Sequence, residues 1–306
     1  MLRLLGETHI GFMARRRSFY FVSAAVILIG IISFIVHGGF RYGIDFEGGR
    51  LVEFRLSEKV PIETVRAAVS EAGFPSAEIQ AISGTSDVLI RIPEIIEQKA
   101  SEASPSALIR DELLLSISGL DAELLREESV GAKIGKEIRG QAYWAIILAL
   151  GLILIYIGLR FELKFGLGAV AALVHDVLVT LTFFSLLDKE ITMPVVAALL
   201  TIAGYSINDS IVVFDRIREQ LVRLRRESFH RVLDVSINQM LSRTVITSVT
   251  TLFGALALLI FGGEVIHDFA FAITIGIIVG TYSSVFVASA LILEMRSAHE
   301  ARGGAR

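Results

Sequence analysis

Asp209 stands in the run Gly204-Tyr205-Ser206-Ile207-Asn208-Asp209-Ser210, inside a segment otherwise fit to cross a bilayer. Apolar residues precede it (195–203) and follow it (211–214), which leaves no loop to hold it. An ionised carboxylate at that depth costs about 2.5–3.5 kcal/mol on insertion scales, so an ionisable group there is a functional site by default. Its natural partner is Arg243, which opens the next apolar segment. Thr247, Thr250 and Gly254 follow at i+4, i+7 and i+11, putting a guanidinium, hydroxyls and a glycine on one helical face. Asp209 lies about six residues, or roughly 10 Å, from the basic end of its own segment, so contact with Arg243 is geometrically permitted. Beside Arg243 the carboxylate stays ionised; parted from it in a low-dielectric site it takes up a proton. A movement that joins and parts them would bind protons on one side of a membrane and release them on the other. Each charge moved across 100 mV is worth about 2.3 kcal/mol, enough to bias a bistable protein. The alternatives are a static buried ion pair, or an aspartate held by hydroxyls. Asn208, Ser206 and Thr247 are the polar residues expected to support this site.

Other polar positions are less pointed. Asp176, following His175 in the third apolar segment, is a second intramembrane acid: a further relay group or a hydrogen-bonded packing residue. A His-Asp dipeptide also occurs in metal phosphohydrolases, but no further histidines stand at ligand spacing, so no metal site is expected. The run Gly43-Ile44-Asp45-Phe46-Glu47-Gly48-Gly49 has glycines without a lysine and no G-x-G-x-x-G, which argues against phosphate binding. It reads as a tight backbone junction, because glycines tolerate strained turns. Gly276 and Gly280 form a small-xxx-small pattern suited to helix packing. No nucleophile–base arrangement appears outside the apolar segments, so neither an enzyme nor a cofactor is expected.

These residues need a membrane to position them. The chain is 53% hydrophobic with a mean hydropathy of +0.65. Its long apolar stretches exceed the ~18 residues that mark a spanning helix. Six spans are predicted, over 19–39, 142–159, 165–187, 191–214, 244–261 and 269–293. Arg15-Arg16-Arg17 precede the first, Arg160 and Lys164 separate the second and third, and seven arginines lie between the fourth and fifth. The opposite short connections hold a single lysine, Lys189. Alternate basic loops place both termini in the cytoplasm. The first apolar run is longer than the 7–15 residues of a secretory h-region, which favours an uncleaved anchor. Net charge is −3, without the basic field that nucleic acid would require. Cysteine is absent, which excludes disulfides and thiolate metal sites.

Four regions follow: 1–40 with the first span, a polar extracytoplasmic domain over 41–141, the remaining spans over 142–295, and a tail over 296–306. Residues 40–141 carry 18 acidic against 12 basic side chains. Alternation predicts a strand over 49–56, and Pro61 starts a helix ended by Gly73. Strands follow over 77–82 and 88–93, a helix over 95–118 interrupted at Ser104-Pro105, and a last strand over 122–130. The order β-α-β-β-α-β is that of a ferredoxin-like α+β unit. The arginine-rich stretch 215–243, with Ile217, Leu221, Leu224, Val232 and Ile237, reads as amphipathic helix at the anionic inner surface or as a solvated helical hairpin.

The whole chain resembles the SecF family, the smaller partners of SecD in bacterial SecDF complexes of the RND superfamily. The resemblance rests on the glycine motif from Gly43 to Gly49, Val174-His175-Asp176-Val177, the run from Gly204 to Glu219, Ser242-Arg243-Thr244, and Gly262-Gly263. Gln220 departs from the asparagine frequent there, at the membrane edge. The resemblance implies half of an RND-type transporter, an α-helical polytopic protein with an outer domain between its first two helices. It further implies a multi-pass protein of the bacterial inner membrane. Such a protein works with SecD, the SecYEG channel and YajC, and uses the proton-motive force to draw the translocating preprotein outward. By motif, Asp209 and Arg243 match the family's proton pathway, whose other essential acid belongs to SecD. Two competing readings are an RND-type exporter of a lipid or small molecule and a scaffold that moves no charge.

Overall fold

The computed structural model describes residues 8–82, 84–93, 104–161 and 163–303. The chain forms two compact units: Tyr42–Tyr143, and the residues up to Arg41 together with those from Trp144 on.

The unit Tyr42–Tyr143 opens with a one-turn helix α2 (Ile44–Glu47), then β1 (Gly49–Leu56), α3 (Ile62–Glu71), β2 (Glu78–Ala81), β3 (Asp87–Ile92), α4 (Pro105–Ser116) and β4 (Ala122–Val130). The strands pair antiparallel in the order β2-β3-β1-β4, the ferredoxin-like arrangement that the β-α-β-β-α-β sequence pattern implies. Pairing sets Val52 opposite Ile90 and Phe54 opposite Val88, with a bulge between Glu53 and Phe54 where β4 joins. Because strand side chains alternate, Val52, Phe54 and Leu56 share one face. They pack there with Val65 and Val69 of α3 and Ile109 and Leu113 of α4, all buried. Gly73 ends α3 with φ +100°, a conformation that L side chains rarely adopt. Residues 95–103 of the helix expected over 95–118 lie outside the described residues; Pro105 begins the part that forms.

Among the described residues, six helical segments are long and apolar enough to cross a membrane. They are α1 (Arg16–Val36), α5 (Ala132–Arg160), α6 (Leu163–Leu186), α7 (Met193–Arg223), α8 (Phe229–Phe261), and α9 (Glu264–Ser283) continued through a π-helical turn at Ser284–Ala288 into α10 (Ser289–Gly303). α6, α7 and α9 bury more than half of their apolar windows, while α1, α5 and α8 stay mostly exposed. Close approaches fix this packing. A Cβ on Gly30 of α1 would stand 2.0 Å from Thr182 Oγ1 of α6, and one on Gly276 of α9 2.3 Å from Ile202 of α7. The small-residue pattern in the last span therefore seats α9 against α7.

Stretch 215–243 is the hairpin form of the two expectations. α7 runs on to Arg223, α8 begins at Phe229, and only 224–228 turns between them. Most of the apolar stripe turns inward: Ile217, Val232, Leu233 and Ile237 are buried within the protein, while Leu221 and Leu224 are half-buried. Ser228 caps α8 by accepting from the Arg231 amide. The segment before α1 is tied to this hairpin. The Met13 amide donates to Asp234 Oδ1 at 2.9 Å, and Asn238 takes the Ile10 amide (2.9 Å) while donating to the Ile10 carbonyl (2.8 Å). At the opposite end the Ile191 amide donates to the Arg41 carbonyl (2.7 Å), and Lys189 pairs with Asp268 (2.6 Å).

Candidate functional site

Two carboxylates meet hydroxyls in the middle of the helical unit. Asp209 of α7 is 7% exposed. Its Oδ1 accepts from Thr244 Oγ1 of α8 at 3.1 Å and its Oδ2 from Ser284 Oγ at 3.2 Å. Asp176 of α6 is fully buried. Its Oδ2 accepts from Ser206 Oγ (2.5 Å) and Ser283 Oγ (2.8 Å), and its Oδ1 lies 3.0 Å from His175 Nδ1. His175 Nε2 meets Ser23 Oγ of α1 at 2.9 Å. Ser23 in turn meets the Tyr282 hydroxyl at 2.9 Å, and that hydroxyl donates to the Phe19 carbonyl. A polar chain thus crosses from α7 through α9 and α6 to α1 inside an apolar bundle.

Each link has a local cause. Ser206 and Asp209 are one turn apart on α7, so one helix serves both acids. At Gly280 α9 runs close to both groups: a Cβ there would lie in ordinary contact, 3.4 Å from Ser206 Cβ and 3.7 Å from Asp176 Oδ2. Consecutive Ser283 and Ser284 then fall where the helix widens into the π-helical turn, a feature that often marks functional sites.

The expected partners of Asp209 are only partly where the sequence suggested. α8 does pack beside α7, and Arg243 lies near enough to act on the carboxylate electrostatically. Yet among the described residues no ion pair joins them, and Arg243 is exposed. Thr247 is also exposed and donates to the Arg243 carbonyl. Asn208 points away from the carboxylate, on the exposed side of α7 with Thr201 and Gly204. Ser206 serves Asp176 and not Asp209. The reason is rotational: Asp209 turns inward toward α9, while Arg243, Thr247, Thr250 and Gly254 share the outward face of α8. Thr244 and Ser284, the actual donors, were legible only as hydroxyls within apolar spans.

The glycine motif is a structural junction in the other unit. Gly43 leads into α2, Phe46 is buried, and Gly48 and Gly49 adopt φ +80° and +118°. Arg139 donates to the Phe46 carbonyl (2.8 Å) and Arg91 to the Tyr42 carbonyl (2.5 Å). Asp45 sits in the first turn of α2. Burial, with the Tyr143 hydroxyl 3.4 Å away, pushes the Tyr42 phenol up to about 12. Among the described residues no cluster of three His, Asp or Glu side chains could hold a metal ion.

A family model described as "Protein export membrane protein SecD/SecF, C-terminal" matches residues 111–298, and one described as "SecD/SecF GG Motif" matches residues 33–60. The chain is 44% identical over 291 residues to the protein translocase subunit SecF of Desulfurispirillum indicum, covering 94% of this chain and 92% of that one. It is 41% identical to the protein translocase subunit SecDF of Thermus thermophilus, covering 97% of this chain and 40% of that one. The crystal structure of SecDF from the same organism, a translocon-associated membrane protein, superposes with a TM-score of 0.84 at 41% identity. That match covers 95% of this chain and 39% of the SecDF chain.

Proposed function

Because this chain belongs to the SecD/SecF family of protein-export membrane proteins, we propose that it draws on the proton-motive force, through Asp209, to assist polypeptide export across the bacterial inner membrane. It does so with a SecD-type partner beside the SecYEG channel and YajC, both termini facing the cytoplasm. The observation that supports this reading is a carboxylate buried in a spanning helix whose hydrogen bonds, among the described residues, come from the Thr244 and Ser284 hydroxyls. Such a group is costly to keep charged and close to donors that serve either protonation state.

The partner completes the site. Arg243, Thr247 and Thr250 of α8 and Thr201 and Asn208 of α7 are exposed within spanning helices. The threonine hydroxyls bond carbonyls of their own helices, but facing acyl chains the Arg243 guanidinium and the Asn208 amide would be left unsatisfied at a cost of several kcal/mol each. Gly204 and Gly254 have open space above them, which leaves room for a partner helix at close range. The Thermus SecDF chain, in which this length is about two-fifths of the whole, supports a SecD-type partner. There Arg243 would meet an acid of the partner, which accounts for its outward turn in the single chain.

The test is export into proteoliposomes that carry the co-purified complex and the channel. Asp209→Asn should abolish the stimulation of export by an imposed proton gradient while leaving co-purification intact. Stimulation equal to wild type in that variant would assign the chain a scaffold role.

A further inference from the structure

The surroundings of Asp209 differ sharply along the membrane normal. Its own layer comprises Asp209 of α7, Thr244 of α8 and Ser284 at the end of α9. One turn toward the end opposite the arginines lies a second layer drawn from the same three helices. Tyr205 there donates to Ser248 Oγ at 3.0 Å, Ser248 and Thr281 hydroxyls meet at 2.7 Å, and Thr281 also bonds the Ile277 carbonyl. The spacing is regular: four residues back on α7, four on along α8, three back on α9, each about one turn, or roughly 5 Å, of helix. Two turns farther along α9, the buried hydroxyl of Thr274 has no partner among the described residues. A buried unpaired hydroxyl asks for water.

Toward the arginine-rich end the same helices pack an apolar cluster, with Ser210, Ser236 and Ser289 buried beside it. Val213, Phe214 and Ile217 of α7, Leu233 and Ile237 of α8, and Ala288 beyond α9 are buried together. Phe161 and Phe165 close on Phe214 with ring centroids 5.9 and 5.2 Å away, and Met13 is fully buried in the same cluster. The side chains of that cluster carry no hydroxyl, amide, imidazole or carboxylate to pass a proton on.

We infer that the Tyr205–Ser248–Thr281 layer lines the path by which water brings a proton to Asp209 from the arginine-poor side, while the Phe161–Phe165–Phe214 cluster seals the arginine-rich side. This rests on the proton-carrying role proposed for Asp209. The step is a simple transfer: a hydronium ion gives its proton to an Asp209 carboxylate oxygen and leaves as water. The three hydroxyls order the water that delivers it and are positioning groups. Loss of the proton then requires the aromatic seal to part or the partner-facing side to open, which makes the two faces of the site inequivalent within this chain.

The experiment measures proton flux with an enclosed pH dye in liposomes that hold the complex with its SecD-type partner. The double variant Ser248→Ala with Thr281→Val should slow flux about tenfold and enlarge the solvent deuterium isotope effect. Ser248→Thr with Thr281→Ser, which keeps both hydroxyls, should restore rate and isotope effect. Tyr205→Phe, which removes one oxygen and keeps the ring, should slow flux by a smaller factor and serves if the double variant does not assemble. Wild-type flux in both hydroxyl-free variants, with Asp209→Asn inactive, overturns the path and leaves the role of Asp209 standing. Normal flux in Asp209→Asn overturns that role and the path with it. A fall in flux matched by loss of folded complex, with an unchanged isotope effect, assigns the hydroxyls to packing and also overturns the path.

Discussion

Ser283 and Ser284 are consecutive, yet they donate to different carboxylates: Ser283 Oγ to Asp176 Oδ2 at 2.8 Å and Ser284 Oγ to Asp209 Oδ2 at 3.2 Å. A single backbone step therefore joins two acids carried on different helices. Neighbouring residues on a regular helix point about 100° apart, so one helix edge inserts between α6 and α7 and serves both. A π-helical turn begins at Ser284, and the Ser289 hydroxyl donates to the Ser284 carbonyl across it at 2.9 Å.

The first consequence concerns Asp176, where three donors converge on a fully buried side chain. Asp176→Leu strands Ser206, Ser283 and His175, and should lower the stability of the complex by about 3 kcal/mol. Asp176→Asn keeps an acceptor oxygen and should cost about 1 kcal/mol. Thermal unfolding in detergent, followed by loss of the monodisperse peak, separates the two. Equal melting temperatures would show that the network contributes nothing to the fold.

The second concerns the clamp on the chain start. Asp234→Ala leaves the buried Met13 amide without an acceptor and removes the anchor at the beginning of α1, at a cost of about 1–2 kcal/mol. Asn238→Ala releases both polar groups of Ile10. Hydrogen exchange should rise across residues 9–15 in each variant, and protease should cut there first. Unchanged protection in the double variant would show that the apolar contacts of Phe12 and Met13 suffice.

Glycines separate packing within the chain from packing against a partner. Gly276→Ala forces a methyl group against Ile202 and should cost about 1–3 kcal/mol in the isolated chain. A Cβ at exposed Gly254 has nothing of the chain within 4 Å, so the melting temperature of Gly254→Leu should not fall below wild type. Co-purification of the SecD-type partner should fall in Gly254→Leu. Normal recovery of that partner would move the interface off this face of α8.

A pH effect arises in the unit Tyr42–Tyr143. Tyr42 titrates near 12 in the folded protein against its ordinary value of 10.0. The raised value means that the neutral phenol is favoured by the fold. Its contribution is complete below pH 10 and is lost as pH climbs through about 12. Difference absorbance at 295 nm between wild type and Tyr42→Phe should place that phenol's midpoint clearly above 10. A midpoint at the ordinary value would remove the Tyr42–Tyr143 contact from the folded state.

Much of the architecture was legible from local rules. Apolar length marks the six spans because a bilayer core demands about twenty residues of helix. Alternation at 49–56 and a proline at 61 suffice for β1 and α3, since both express the chain's own periodicity. The helix ends at 223 and 229 were less legible, because the buried stripe there looks alike whether it meets lipid or another helix.

The sequence alone determined that Asp209 would be costly to hold charged in a bilayer, since that solvation cost follows from its type and its apolar neighbours. It also determined the order of elements, which local periodicity encodes. Only the tertiary structure decided which hydroxyls meet each carboxylate, that His175 joins Asp176 to α1, and that Arg243 turns outward. Those partners lie on separate helices, and helical periodicity sets the face a residue occupies without stating which helix, or which other chain, covers that face.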